Sequence, residues 1–161
     1  MKAIFVCPFV RLIAICLSVW LLPPASSASA EGSAPAYARS IDAIVIICSS
    51  FAYKALTKAD YPLSEASEML LKKANLPKAR IEGGDFEFDI KPQEELITIK
   101  VKDQWFPLTL RNSNSNEEIL KADFKDGEFG LRKGNIFVRE GTRARLRGTV
   151  YVYTSGGWQA K

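Results

Sequence analysis

Histidine is absent from all 161 residues, and only three cysteines are present. The first absence removes Ser-His and Cys-His catalysis, imidazole metal ligation and imidazole proton shuttling. Cys7 and Cys16 fall in an N-terminal apolar stretch that reads as an export signal. Once that stretch is removed, Cys48 stands alone, so no internal disulfide can form and thiolate metal sites are excluded. Cys48 lies in the apolar run Ala43 to Cys48 and is expected to be a small buried hydrophobe. Catalytic motifs are missing as well: there is no P-loop, no Gly-x-Ser-x-Gly, no His-Glu-x-x-His and no calcium-loop spacing. Gly83-Gly84 precedes a strand pattern rather than a helix, which is the wrong context for a dinucleotide fingerprint. The acid pairs Glu94-Glu95 and Glu117-Glu118 sit in expected turns or loops, where a carboxyl stays solvated and is a poor general acid. The polar run Asn112 to Asn116 contains no glycosylation triplet. These absences lean away from an enzyme and leave catalytic, cofactor and metal sites without candidates.

What is present begins with the export signal. Lys2 supplies a positive start, Leu12 to Leu22 is wholly apolar apart from Ser18, and Pro23-Pro24 ends any helix. Ala28-Ser29-Ala30 puts small residues where signal peptidase cuts, so residues 1–30 read as a signal peptide cleaved after Ala30. An uncleaved membrane anchor is the alternative, and Pro8 and Arg11 weigh against it, because a charge near mid-bilayer costs about 3 kcal/mol. No cysteine follows a small residue, which argues against a lipidated cysteine. The expected location is periplasmic or extracellular. The signal carries Lys2 and Arg11 and no acid, so the formal charge falls from +4 for the whole chain to +2 for the mature one. Net charge therefore gives little support to a nucleic-acid partner or to general polyanion binding.

Residues 31–36 are small and polar and read as a flexible leader. Residues 37–161 are expected to form a single α+β domain, helical over 37–76 and an antiparallel sheet over 81–161. Ser40 is positioned to cap a helix from Ile41 to about Lys58. Tyr37, Ile41, Ile44, Cys48, Phe51 and Ala55 fall on one helical face. The centre, residues 43–48, is apolar on every side and rich in β-branched residues, which fits a helix packed on two sides or a buried strand. The apolar run Ile41 to Ala52, interrupted by Asp42, Ser49 and Ser50, is too short to span a membrane. Ser64 caps a second helix ending near Ala74, with Ala66, Met69, Leu70 and Lys73 as its face.

Beyond Gly84 the apolar period changes from helical to two. Phe86, Phe88 and Ile90 make one strand face, and Ile97, Ile99 and Val101 another. Trp105 to Leu110 follows, with Pro107 expected at an edge or bulge. Leu120, Ala122 and Phe124 form a further strand, and short strands follow at 128–131, 136–139 and 143–154, separated by glycine turns. The expected fold is α+β: one or two N-terminal helices packed on an antiparallel β-meander of about six or seven short strands. Trp105, Phe106, Phe124, Phe129 and Phe137 are expected in the core.

One constellation stands out. If 143–154 is one strand, Arg143, Arg145, Arg147, Thr149, Tyr151 and Tyr153 share one face. With Arg132, Lys133 and Arg139 nearby, the 132–147 stretch is strongly basic. Guanidinium groups grip carboxylate or phosphate, and phenols stack on flat ligands. The candidate binding face is thus Arg143, Arg145, Arg147, Tyr151 and Tyr153. The competing expectation is that the arginines pair across the sheet with the acidic row Asp85, Glu87 and Asp89. Trp158, after Gly156-Gly157, either pins the last strand to the sheet or anchors a partner. These features point to an exported, non-enzymatic binding or assembly module acting through an unidentified protein partner. The alternatives are a small-ligand pocket between helices and sheet, with Asp, Glu, Tyr or Arg as the groups available for catalysis, and weaker binding to a polyanion or membrane surface through the basic stretch.

Overall fold

The computed structural model describes residues 34–83 and 87–161. The signal peptide and its cleavage site, the start of the leader, and Asp85 and Phe86 lie outside the described residues. Among the described residues two α-helices come first, α1 (Ala36–Thr57) and α2 (Glu65–Ala74). Ten strands follow: β1 (Ala79–Gly83), β2 (Phe88–Lys91), β3 (Leu96–Val101), β4 (Phe106–Asn112), β5 (Glu118–Lys125), β6 (Gly127–Arg132), β7 (Asn135–Val138), β8 (Arg143–Leu146), β9 (Thr149–Thr154) and β10 (Gly157–Ala160). The fold is α+β with antiparallel strands, as the change of period indicated. The strands do not form one meander. They make a six-stranded sheet in the order β1-β4-β5-β8-β9-β10 and a four-stranded sheet in the order β2-β3-β6-β7. The chain lays hairpins alternately in the two sheets, and this lets both sheets close on one helix.

That helix is α1. Residues 43–46 are each fully buried, which settles the doubtful central segment as a helix packed on two sides. Ile41, Ile44, Val45 and Cys48 pack with Phe124, Phe129, Leu108, Leu110 and Ala144. Ile46 and Ala52 pack in a second cluster with Tyr61, Ile97 and Leu131. Phe124 of β5 and Phe129 of β6 stack with ring centroids 4.3 Å apart and join the two sheets under the helix. By length and composition α1 could cross a membrane. Its most apolar residues are instead spent inside the protein: Ile41, Ile44, Val45 and Ile46 are all at 0 % exposure.

Several expectations need correction here. The helix starts at Ala36, after Pro35, and no side chain caps it. Tertiary contact draws in the extra turn: Ala38 is buried, and Tyr37 stacks on Tyr151 with centroids 4.5 Å apart. Phe51 is 51 % exposed, and the buried line passes through Ala52 instead. A helix covered on two sides buries a wider arc than a single stripe, so spacing alone cannot choose between these neighbours. Ser64 does cap α2, accepting from the Ser67 N–H at 3.2 Å. Its inward residues are Ser67, Leu70 and Leu71, while Met69 is 45 % exposed. The reason is polar docking. The Gly134 carbonyl, in the β6–β7 turn, accepts from the Ser64 N–H at 2.9 Å and the Ser67 hydroxyl at 2.8 Å.

Pro107 lies in an interior strand, paired to β5, but just beyond Leu108, the last residue of β4 that β1 reaches. The register shift falls instead between Leu110 and Arg111. Phe124 and Phe129 are core, whereas Trp105, Phe106 and Phe137 are only half-buried. Glycine is required at Gly130, because a Cβ there would come within 1.8 Å of the Ile97 carbonyl oxygen on β3.

Cys48 is 1 % exposed, and burial pushes its thiol up to about 12. Only the thiolate reacts, so the native protein is expected to resist a bulky thiol reagent and to label fully once unfolded. Stoichiometric labelling in the native state would show that Cys48 is reached from outside.

Candidate functional site

The candidate face is cut in two by a turn. Arg147 and Gly148 both have positive φ, 49° and 85°, the signature of a two-residue hairpin. Leu146 therefore pairs with Thr149, Ala144 with Tyr151, and Arg143 with Val152. Residues paired across an antiparallel ladder point the same way, so parity flips at this turn. Arg143 and Arg145 share the outer face with Val150 and Val152. Tyr151 and Tyr153 point inward, with Ala144 and Leu146. The five residues do not form one face, and Arg147 sits exposed in the turn itself.

Asp89, the member of the acidic row that lies on a strand, does not face the arginines. Asp89 lies on β2, opposite Thr98 in the other sheet. The partners come from β5 and the turn after it. Arg145 reaches Asp123 Oδ2 through Nε at 3.0 Å and Nη2 at 2.9 Å. Its guanidinium also lies 4.5 Å from the centre of the Trp105 ring. Arg143 approaches Asp126 at 3.6 Å. Arg147 makes no ion pair among the described residues.

Trp158 is pinned, not offered to a partner. It is 3 % exposed, and its indole N–H donates to Asp42 Oδ1 at 2.9 Å. Tyr153 meets it edge-on at 5.1 Å, and the Tyr37 hydroxyl donates to its backbone carbonyl at 3.3 Å. Asp42 is noted in the sequence only as an interruption of the apolar run Ile41 to Ala52. A lone acid inside an apolar run was the available signal, but its partner lies 116 residues away. Burial raises the Asp42 carboxyl to about 6, with the Trp158 N–H pulling the other way. Tyr153 is raised by burial first and then by the charges of Asp42 and Glu140. A half-buried acid of this kind is suited to proton transfer if substrate can reach it. Asp42 does not line any of the three clefts described next, so the arrangement works as a latch between α1 and β10.

The outer face of the six-stranded sheet is densely charged. Strand alternation places six basic residues there, Arg80, Arg111, Lys121, Lys125, Arg143 and Arg145, against Glu82, Glu118 and Asp123, and Asp126, just after β5, reaches Arg143. Glu82 takes both Arg80, at 3.0 Å, and Arg111, at 2.6 Å. Lys121 has no ion pair among the described residues, and Lys125 lies over Trp105 at 5.9 Å. A shallow cleft of about 260 Å³ crosses this face, lined by Glu118, Lys121, Asp123, Arg145 and Arg147. A second cleft of about 260 Å³ opens between the helices and the β8–β9 turn, around Arg39, Lys73 and Arg147. A third, of about 940 Å³, is lined by Phe88, Trp105 and Phe106 with charges of both signs, including Asp89, Lys100 and Asp103. Among the described residues no group of three or more carboxylates or thiols is placed to hold a metal ion. Comparison with protein-family models, with characterised proteins and with solved structures finds no match.

Two predictions follow from this geometry. Asp42 ionises at 3.8 when unfolded and near 6 when folded, so between these values the folded state holds a proton that the unfolded chain has lost. The stability this gives is full below pH 3.8 and is lost as pH rises through 6. Asp42→Asn keeps an acceptor for Trp158 and removes the charge. Relative to wild type it is expected to gain on the order of 1–2 kcal/mol as pH rises from 4 to 7, the half-buried position tempering the full shift. Paired melts across that range measure it.

A double-mutant cycle of Arg145→Gln with Asp123→Asn is expected to show coupling of about 0.5–1 kcal/mol. The same cycle with Asp89→Asn is expected to show none. Coupling to Asp89 alone would mean that the strands pair differently.

Proposed function

We propose that this protein is a non-catalytic binding module, working outside the cytoplasm, whose outer six-stranded face receives an acidic protein partner. One observation carries the reading: that face gathers six cations against four carboxylates, Asp126 included, although the mature chain is nearly neutral. Such concentration on one flat side of a sheet raises the encounter rate with an oppositely charged surface and fixes its orientation. Lys121 is the focus, exposed and without an ion pair among the described residues. Arg143 and Arg145, held by Asp126 and Asp123, form a stiff border. The closed latch at Asp42, which lines none of the three clefts, favours binding over catalysis. The first 30 residues motivate the location.

The test is a site-specific photo-crosslinker placed at Lys121, and separately at Met69 on α2, in protein recovered from the exported fraction. A discrete crosslinked partner is expected from position 121 only. It is expected to disappear when Lys125 is changed to Glu and to weaken as salt rises from 50 to 300 mM, about where screening becomes strong. Equal crosslinking from both positions, or a partner that ignores the charge reversal, would refute the face. Retention on anionic vesicles in place of a protein partner would move the reading to the envelope surface.

A further inference from the structure

We propose that the recess between α1, α2 and the β8–β9 turn binds a small amphiphilic anion, a carboxylate or phosphate headgroup carrying a short apolar body. Three elements far apart in sequence deliver one cation each: Arg39 from α1, Lys73 from the last turn of α2, and Arg147 from the tip of the hairpin. No carboxylate lines the recess among the described residues. Ser40 adds a hydroxyl, and alanine and leucine side chains, Ala43, Ala74, Leu76 and Leu120 among them, make an apolar floor. Its volume, about 260 Å³, is just below the roughly 300 Å³ at which small-molecule sites begin.

The charges around the recess are unbalanced. Elsewhere on the sheet the arginines are matched by acids: Arg143 by Asp126, Arg145 by Asp123, Arg111 by Glu82. Here neither Lys73 nor Arg147 has an ion pair among the described residues, and both face a partly apolar wall that screens them less than water does. Like charges gathered there repel, and an anion relieves them while making charge-assisted hydrogen bonds. One side of α1, through Ala36, Arg39, Ser40 and Ala43, forms a wall of the recess. The apolar floor selects against a bare inorganic ion, because only a ligand with a hydrophobic body gains from covering it.

This site is separate from the outer face, although Arg147 borders both clefts. The test titrates octyl phosphate, below its micellar concentration, into purified protein by calorimetry, with inorganic phosphate, octanol and octyltrimethylammonium as comparators. Saturable one-to-one binding of octyl phosphate is expected, at least about tenfold tighter than inorganic phosphate, with no binding of the cation. Lys73→Gln/Arg147→Gln is expected to weaken it about tenfold or more, the loss of two charge-assisted contacts. Ala36→Trp, at an exposed position on the rim, is expected to block it while keeping all three cations. Lys121→Glu/Lys125→Glu is expected to leave it unchanged, so a failure of the outer-face reading does not touch this one. Absence of saturable binding, equal affinity for inorganic phosphate, or undiminished affinity in both recess variants would overturn the proposal.

Discussion

The burial of α1 between two sheets is the constraint on which the rest depends. A helix with residues 43–46 at zero exposure needs apolar cover on opposite sides, and a single flat sheet supplies one side only. The chain answers by alternating its hairpins: β2–β3 and β6–β7 go to one sheet, β4–β5 and β8–β10 to the other. The Phe124–Phe129 stack is the hinge of this arrangement, each ring on a different sheet and both fully buried. Hydrophobic burial is non-directional. The close approach of β6 to β3 at Gly130 and the docking of the Gly134 carbonyl on Ser64 and Ser67 set how the elements lie against one another.

The polar sites follow from the same geometry. With α1 enclosed, the inward faces of β9 and β10 must meet its first turns. This brings Tyr151, Tyr153 and Trp158 onto Tyr37 and Asp42. An acid at that junction keeps its place by accepting the indole N–H, and burial then holds its proton to higher pH. Strand alternation turns most of the charge of β1, β4, β5 and β8 outward, while Val150 and Val152 of β9 share that side. The sheet therefore divides into an aromatic inner face that closes the core and a cationic outer face that meets solvent. The recess around Lys73 and Arg147 lies where the helix layer meets the edge of this division, which is why it combines an apolar floor with unmatched cations.

What could be read from the residues is what depends on neighbours close in sequence. Hydrophobic period separated a helical first third from a stranded remainder, because 3.6 and 2.0 are local repeats. Ser64 declared the start of α2 for the same reason. The inward alternation of Leu120, Ala122 and Phe124, and of Ile97 and Ile99, needed nothing beyond the strand itself. The limit came at Arg147-Gly148. Without turn residues of the usual Asn-Gly kind, the run 143–154 read as one strand, and one missed two-residue turn moved Tyr151 and Tyr153 to the opposite face. The extra strands β1 and β10 were missed because short segments gain their order from the partners they pair with.

By itself, then, the sequence determined class and chemistry: α+β with antiparallel strands, no histidine and a single cysteine outside the first 30 residues, and a surplus of arginine near its end. These are properties of residue type and local spacing. Only the tertiary structure decided which charges stand together. It matched Arg145 with Asp123 rather than the acidic row, turned Trp158 inward onto Asp42, and gathered Arg39, Lys73 and Arg147 around one recess. Those pairings join positions separated by 22 to 116 residues. No local repeat encodes such separations; they are fixed by the way two sheets must wrap to take one helix out of water.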